Sequence, residues 1–393
     1  IGSITKTFTA VLVMRLRDEG LLDLSDPLEA HVSGTPFGDR TIAALLSHTG
    51  GLAAEPPGSW WERSPGVEAA RLREGLDDEA LRHRSGRRFH YSNLAYAMLG
   101  QVVAARRGCD WTRALRQEIL RPLELDRTTV LAKAPHADGF AVHPYADVTM
   151  PEPAHDSKAM GPAGQLWSTA ADLGRWARFL VGEGGDVLCG DTLAEMREPQ
   201  VVDDGAAWTG GFGLGLQLLR RDGRRVFGHS GSMPGFQAGL WIDEDSRDAA
   251  AAFMNCTTTT VKGVALEVLD AVVAREPRPV REWAPRESVE ESLLELTGLW
   301  HWGTSSALLR VLGDGQLRLE PLEGMLSRSR FRPEGHDRWI GVDGYHAGEV
   351  MRVERDAAGR PERLNLHTFV LTREPYRPIE AIPGGVDEGW PAV

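Results

Sequence analysis

Between Thr7 and Leu21 the chain carries Phe8, then Ala10-Val11-Leu12-Val13-Met14 and Leu16, with little polar relief beyond Arg15 and Arg17. Apolar positions on nearly every side predict a helix over residues 6–21 that is heavily buried rather than half-wetted. Helical patterns recur at 67–74, 94–105, 111–120 and 170–181, with Asp110 and either Ser168 or Thr169 placed as caps for the last two. The pattern then changes. Residues 212–220, 224–227, 237–242 and 249–254 alternate or run apolar between turn signals, which predicts consecutive antiparallel strands with Asp222-Gly223 and Glu244-Asp245 in the turns. Residues 261–274 read as a helix able to pack on that sheet.

A proline- and charge-rich stretch follows, Arg275-Glu276-Pro277-Arg278-Pro279 and then Trp283-Ala284-Pro285, the signature of a linker. Beyond it no convincing helix is read. Short strand candidates at 298–302, 307–312, 316–321, 339–342, 349–355 and 364–372 suggest a small antiparallel barrel. The expected organisation is an α/β (α+β) chain: residues 1–274 as an antiparallel sheet flanked by helices, 275–290 as linker, and 291–380 as the β-barrel.

Composition narrows the function classes. The chain has 393 residues and a net charge of −12, and its arginines are scattered (Arg106-Arg107, Arg220-Arg221, Arg224-Arg225). That offers no basic face for nucleic acid and disfavours anionic membranes. No apolar run reaches the ~20 residues of a membrane-spanning helix. Cys109, Cys189 and Cys256 are widely spaced with no Cys-x-x-Cys, which fits free thiols and tilts the expected compartment toward the cytoplasm. There is no His-Glu-x-x-His or His-x-x-x-His, so no metal site is expected. His48 reads as structural rather than as a triad base.

Three motifs carry chemistry. Ser3-Ile4-Thr5-Lys6 puts a hydroxyl and an amine one helical turn apart on one face, within reach of each other. Lysine is otherwise confined to Lys133, Lys158 and Lys262, and as a base Lys6 needs burial or a nearby cation to lose its proton. Tyr91-Ser92-Asn93 precedes the helix at 94–105. His229-Ser230-Gly231-Ser232 follows a strand read at 225–228. Each triplet alone is also compatible with ordinary turns and caps.

In this order the motifs resemble a known superfamily: the serine hydrolases of the penicillin-binding proteins and class C β-lactamases, with Ser-x-x-Lys, then Tyr-x-Asn, then Lys-Thr-Gly or a variant. Ala44-Leu45-Leu46-Ser47-His48-Thr49-Gly50-Gly51-Leu52 is similar to that family's Leu-Leu-Thr-His-Thr-Ser-Gly-Leu stretch. Gly161-Pro162-Ala163-Gly164-Gln165-Leu166-Trp167-Ser168-Thr169 resembles its Pro-Ala-Gly-Gly-Leu-Tyr-Ser-Thr stretch. The resemblance implies a serine hydrolase acting through an acyl-enzyme on an ester, amide or β-lactam carbonyl of a small or peptide-like substrate, chemistry that needs no metal or organic cofactor. It implies Ser3 as nucleophile, Lys6 and Tyr91 as proton-transfer groups with the base left open between them, and Asn93 as holding Lys6 and the substrate. The oxyanion would meet the N–H groups of Ser3 and Ser232, with Ser230 and Gly231 on the substrate-binding edge. It further implies a lipocalin-like C-terminal domain.

His229 departs from the lysine that many relatives carry. A histidine of ordinary pKa is mostly neutral at pH 7 and holds a carboxylate less strongly, which favours an esterase, amidase or D-amino-acid peptidase over a β-lactamase. The competing class is a non-catalytic binding or sensor protein on the same fold.

Relatives of this kind also carry a helix and the first sheet strands ahead of Ser-x-x-Lys, whereas this chain opens at Ile1. The expectation is that the 393-residue chain is poorly active and aggregation-prone while a longer parent is active. Full activity and a cooperative melt of the 393-residue chain would contradict it.

Overall fold

The first helix, α1 (Thr5–Asp18), is buried without a break from Thr5 to Met14. The Thr7 hydroxyl donates to the Ile4 carbonyl at 2.8 Å and that of Thr9 to the Pro162 carbonyl at 2.9 Å, so polar groups of α1 enter the core already paired. In this computed structural model, residues 1–203, 205–257, 261–275, 288–323 and 326–375 are described. Most of the stretch expected as linker, 276–287, and residues 376–380 at the expected end of the barrel lie outside them. The chain divides into two compact units, Ile1–Arg278 and Pro279–Val393.

In the first unit α1 packs against α2 (Asn93–Arg107) and α3 (Ala170–Leu180). α2 is capped by Ser92, whose hydroxyl accepts from the Ala95 N–H at 3.0 Å, and ends at Gly108 with a φ of 63°. Thr169 caps α3 and Asp110 caps the helix Trp111–Leu115. Phe8 stacks on Trp176 with centroids 3.8 Å apart, and the Trp176 indole donates to the Thr7 hydroxyl at 2.9 Å. Gly100 has a particular duty in α2. A Cβ there would lie 2.1 Å from Cγ of Pro162, so only glycine lets the short helix Gly161–Gly164 lie against α2.

The sheet has six antiparallel strands in sequence order: β1 (Val201–Val202), β2 (Gly210–Phe212), β3 (Gln217–Arg221), β4 (Arg224–Met233), β5 (Phe236–Asp243) and β6 (Ala249–Met254). Asp222 and Gly223, both at positive φ, form the two-residue turn between β3 and β4. α4 (Val261–Arg275) packs on β5 and β6. Two expectations need correction. The triplet 229–231 lies inside β4 rather than after a strand ending at 228, because pairing with β5 continues from Val226↔Asp243 through Met233↔Phe236. The stretch read as one strand over 212–220 is split into β2 and β3 by the bend at Gly213 to Leu216.

The second unit is a closed eight-stranded antiparallel barrel: β7 (Gly298–Trp302), β8 (Ser305–Val311), β9 (Leu317–Glu323), β10 (Ser329–Gly335), β11 (Arg338–Gly341), β12 (Val350–Arg355), β13 (Pro361–Leu366) and β14 (Phe369–Thr372). Thr372↔His301 closes it, and Trp300, Leu309, Phe331 and Leu364 fill it. Six strands were expected here. β10 escaped notice because Pro333 and three charged side chains, Arg330, Arg332 and Glu334, mask its inward Ser329 and Phe331. β13 and β14 read as one strand because their turn, at His367-Thr368, lacks glycine or proline. A four-residue helix, Glu291–Leu294, precedes the barrel.

Trp176→Ala removes a fully buried indole and its stack on Phe8. It is expected to lower unfolding free energy by ~3–5 kcal/mol in a denaturant melt.

Candidate active site

The site begins with a 3-10 turn, Gly2–Ile4, feeding directly into α1, so Ser3 and Lys6 share one face. Lys6 has no exposed surface. Its Nζ lies 3.0 Å from Ser3 Oγ, 2.6 Å from Asn93 Oδ1 and 2.6 Å from the Ala163 carbonyl oxygen. It also sits 5.0 Å from the Tyr91 ring centroid and 5.6 Å from that of Tyr96. Burial lowers the pKa of Lys6 to about 7, against the opposing pull of Glu55 and Glu62. The amine can thus accept a proton near neutral pH.

The Tyr91 side chain stands beside Ser3 on the wall of one cavity. Burial pushes this phenol well above its ordinary range, with Glu55 and Glu62 adding to the rise and the Ser3 side chain opposing it. Tyr91 is therefore a neutral phenol at physiological pH, able to donate or relay a proton. Asn93, the first residue of α2, donates from Nδ2 to Glu55 Oε1 at 2.7 Å.

β4 supplies the opposite wall. A Cβ at Gly231 would stand 1.9 Å from the Ile1 carbonyl oxygen and 2.9 Å from the Ser3 nitrogen, and one at Gly2 would stand 2.2 Å from the Ser232 nitrogen. Glycine at both positions lets strand and turn meet, which brings the backbones of Ser3 and Ser232 together. His229 is buried, and its Nδ1 lies 2.5 Å from the Ser230 carbonyl oxygen, an acceptor, so Nδ1 carries the hydrogen. Its ring centroid is 6.1 Å from that of Tyr91. Ser3, Tyr91, Gln217, His229 and the edge 230–232 line a cavity of about 700 Å³. All eight residues singled out by motif thus fall in one neighbourhood. A second cavity of about 540 Å³ includes Trp167 and Phe236 but none of those eight.

A sequence model of the family described as Beta-lactamase matches residues 1–275. The chain belongs to the β-lactamase family. A second model, described as a domain of unknown function (DUF7586), matches residues 289–373, the span of the lipocalin-like barrel. Penicillin-binding protein 4 of Amycolatopsis lactamdurans is 30% identical over 273 residues, which cover 65% of this chain and 71% of that protein. The chain spans half or less of several other curated relatives. Among solved structures, a D-stereospecific amidohydrolase from Streptomyces sp. superposes with a TM-score of 0.61 at 25% identity, covering 68% of this chain and 85% of that one. An octameric penicillin-binding protein homologue from Pyrococcus abyssi shares the fold (TM-score 0.61, 22% identity, 94% and 87% covered).

Within this β-lactamase-family frame, the Ala163 carbonyl and Glu55 escaped sequence reasoning, while His48 takes the structural place read for it. The Ala163 carbonyl is one of three partners of Lys6, and a backbone atom leaves no residue-type signal. His48 accepts from the Ser92 N–H at Nδ1, 3.0 Å away, and lies 4.3 Å from the Tyr91 ring, so it braces the Tyr91-Ser92-Asn93 segment. Burial, reinforced by Lys6, His229 and His90, holds it neutral. Glu55 was also missed, although Asn93, once assigned to hold Lys6 by its oxygen, left an NH2 group in need of an acceptor.

Gly231→Ala forces a Cβ against backbone and must displace Ser3. Labelling of Ser3 by a serine-directed phosphonate is expected to slow by about 10²-fold. Gly174→Ala, whose Cβ meets nothing within 4 Å, is the control for handling and stability.

Proposed function

We propose that the chain is a serine hydrolase that transfers the acyl group of an amide or ester to Ser3 and then to water. The observation that carries this reading is the Lys6 Nζ at 3.0 Å from Ser3 Oγ, buried enough to be a free amine near pH 7. Ser3 Oγ attacks the carbonyl carbon as its proton passes to Lys6. The oxyanion so formed is met by the backbone N–H groups of Ser3 and Ser232. The proton then reaches the leaving nitrogen or oxygen through Tyr91, whose phenol stays protonated. Water attacks the acyl-enzyme by the reverse path, with its proton taken by the same pair. The high proton affinity of Tyr91 favours Lys6 as the base for acylation.

The substrate class follows from the walls of the cavity. Among the described side chains lining it there is no lysine or arginine, and a histidine stands at 229. Such a site suits a neutral amide or ester better than a substrate with a free carboxylate beside the scissile bond. The D-stereospecific amidohydrolase with which the fold superposes supports an amide of a D-amino acid as the first compound to try. Penicillin-binding protein 4 supports the second reading, a penicillin-acylated enzyme.

Intact mass after brief exposure to a serine-directed phosphonate, and separately to a penicillin, tests both. A phosphonate adduct on the native chain and none on Ser3→Ala is expected, with slow or no penicillin adduct. Undiminished labelling of Ser3→Ala would sink the nucleophile assignment, and rapid penicillin acylation would favour the second reading. Because the Lys6 ammonium cannot accept a proton, the labelling rate should fall about tenfold per pH unit below 7 and level off above it. A rate independent of pH between 5 and 9 would exclude Lys6 as the base.

A further inference from the structure

Neutral Lys6 has two N–H bonds and one lone pair, and the structure gives it three partners. Two of them, the Ala163 carbonyl and Asn93 Oδ1, can only accept, and each lies 2.6 Å from Nζ. They occupy both N–H bonds of the free amine. The lone pair is then left for the third partner, the Ser3 hydroxyl, whose proton must move.

This arrangement has one weak point. An asparagine amide is nearly symmetric in shape, and rotation by half a turn would exchange Oδ1 for Nδ2. While Lys6 is an ammonium it holds the oxygen toward itself, because an ammonium only donates. Once it loses a proton that constraint goes. A flipped Asn93 could donate to the lone pair and tie up the base in the state that reacts.

We propose that Glu55 is a positioning residue whose carboxylate holds the Asn93 NH2 away from Lys6, so that the lone pair of the free amine stays directed at Ser3. The proposal rests on the reading of Ser3 as nucleophile and Lys6 as base. Glu55 Oε1 accepts from Asn93 Nδ2 at 2.7 Å, and a carboxylate accepts in every orientation, so a flipped amide would set oxygen against oxygen. The carboxylate is itself tied down. Its second oxygen accepts from the indole of Trp61 at 2.7 Å, and Trp61 is buried. The loop before it is pinned to the same segment as Asn93: the Ser92 hydroxyl donates to the Ala53 carbonyl at 2.6 Å, and the Asn93 N–H to that of Ala54 at 2.7 Å. Glu55 is exposed on its solvent side, so water screens its charge while the directional hydrogen bonds remain. It is absent from the wall of the 700 Å³ cavity and acts through Asn93.

Glu55→Gln is nearly isosteric and at an exposed position, and it turns an acceptor-only group into one oxygen and one NH2. With two donors, Trp61 and Asn93, competing for that oxygen, Asn93 loses its fixed partner. Trp61→Phe removes the competitor and returns the oxygen to Asn93. The experiment is the plateau rate of Ser3 phosphonylation above pH 8 in four full-length proteins: native, Glu55→Gln, Trp61→Phe and the double variant, each checked by thermal melt.

Glu55→Gln is expected to label about tenfold more slowly or worse, and the double variant to recover to within a few-fold of Trp61→Phe. A rate in Glu55→Gln equal to the native rate would overturn the proposal. So would losses that simply multiply in the double variant, as a packing role predicts. Labelling that persists in Ser3→Ala would instead overturn the nucleophile reading itself, whatever position 55 does.

Discussion

Taking the amine of Lys6 out of water costs several kcal/mol if it stays charged, and the surrounding structure is organised by that cost. The whole first half of α1 is interior, so Lys6 has no path to solvent along its own helix. Asn93 and Ala163 reach it from chain positions 87 and 157 residues away. Each depends on a local device: the Ser92 cap starts α2 where Asn93 faces inward, and Gly100 admits the Pro162 turn that delivers the Ala163 carbonyl. The same burial that penalises the ammonium makes the free amine accessible near neutral pH. Structural cost and chemical competence are one quantity here.

Tyr91 shows the complementary effect. It is half-buried at the cavity wall beside Lys6, but for an acid that is neutral before ionisation, burial works in the opposite direction and keeps the proton in place. Two groups beside one hydroxyl thus have their pKa values moved in opposite directions by burial. His48 and Phe212, packed 4.6 Å apart beside Tyr91, help to make that medium.

Much of this was legible in the chain. Ser3 and Lys6 are a local pair whose geometry follows from helical spacing, and the density of apolar residues after them foretold the burial of α1. The Tyr91 and His229 triplets could be found by residue type and order. The extent of β4 could not, because His229 to Ser232 is small and polar and strand pairing there is set by β5 rather than by apolar pattern. Contributions made by backbone atoms, such as the Ala163 carbonyl, leave no mark in residue identity. Glu55 sits in a loop where one acidic residue looks like any other until its partner is known. In the barrel, a strand carrying Arg330, Arg332, Pro333 and Glu334 reads as loop, since its outer face is all charge and its inner face is short.

The distance in sequence between Lys6 and its acceptors bears on how the molecule acquires competence. Ser3 and Lys6 meet as soon as one turn of helix forms, yet at that stage the amine is hydrated and firmly protonated, and the pair is inert. The buried environment of Lys6 is complete only when segments from three remote stretches, near residues 93, 163 and 231, have docked and expelled water, which is among the slowest classes of contact to form. On the proposed mechanism the Ser3 hydroxyl gains its base only once these segments have docked, so covalent labelling of Ser3 would report completed folding of this unit.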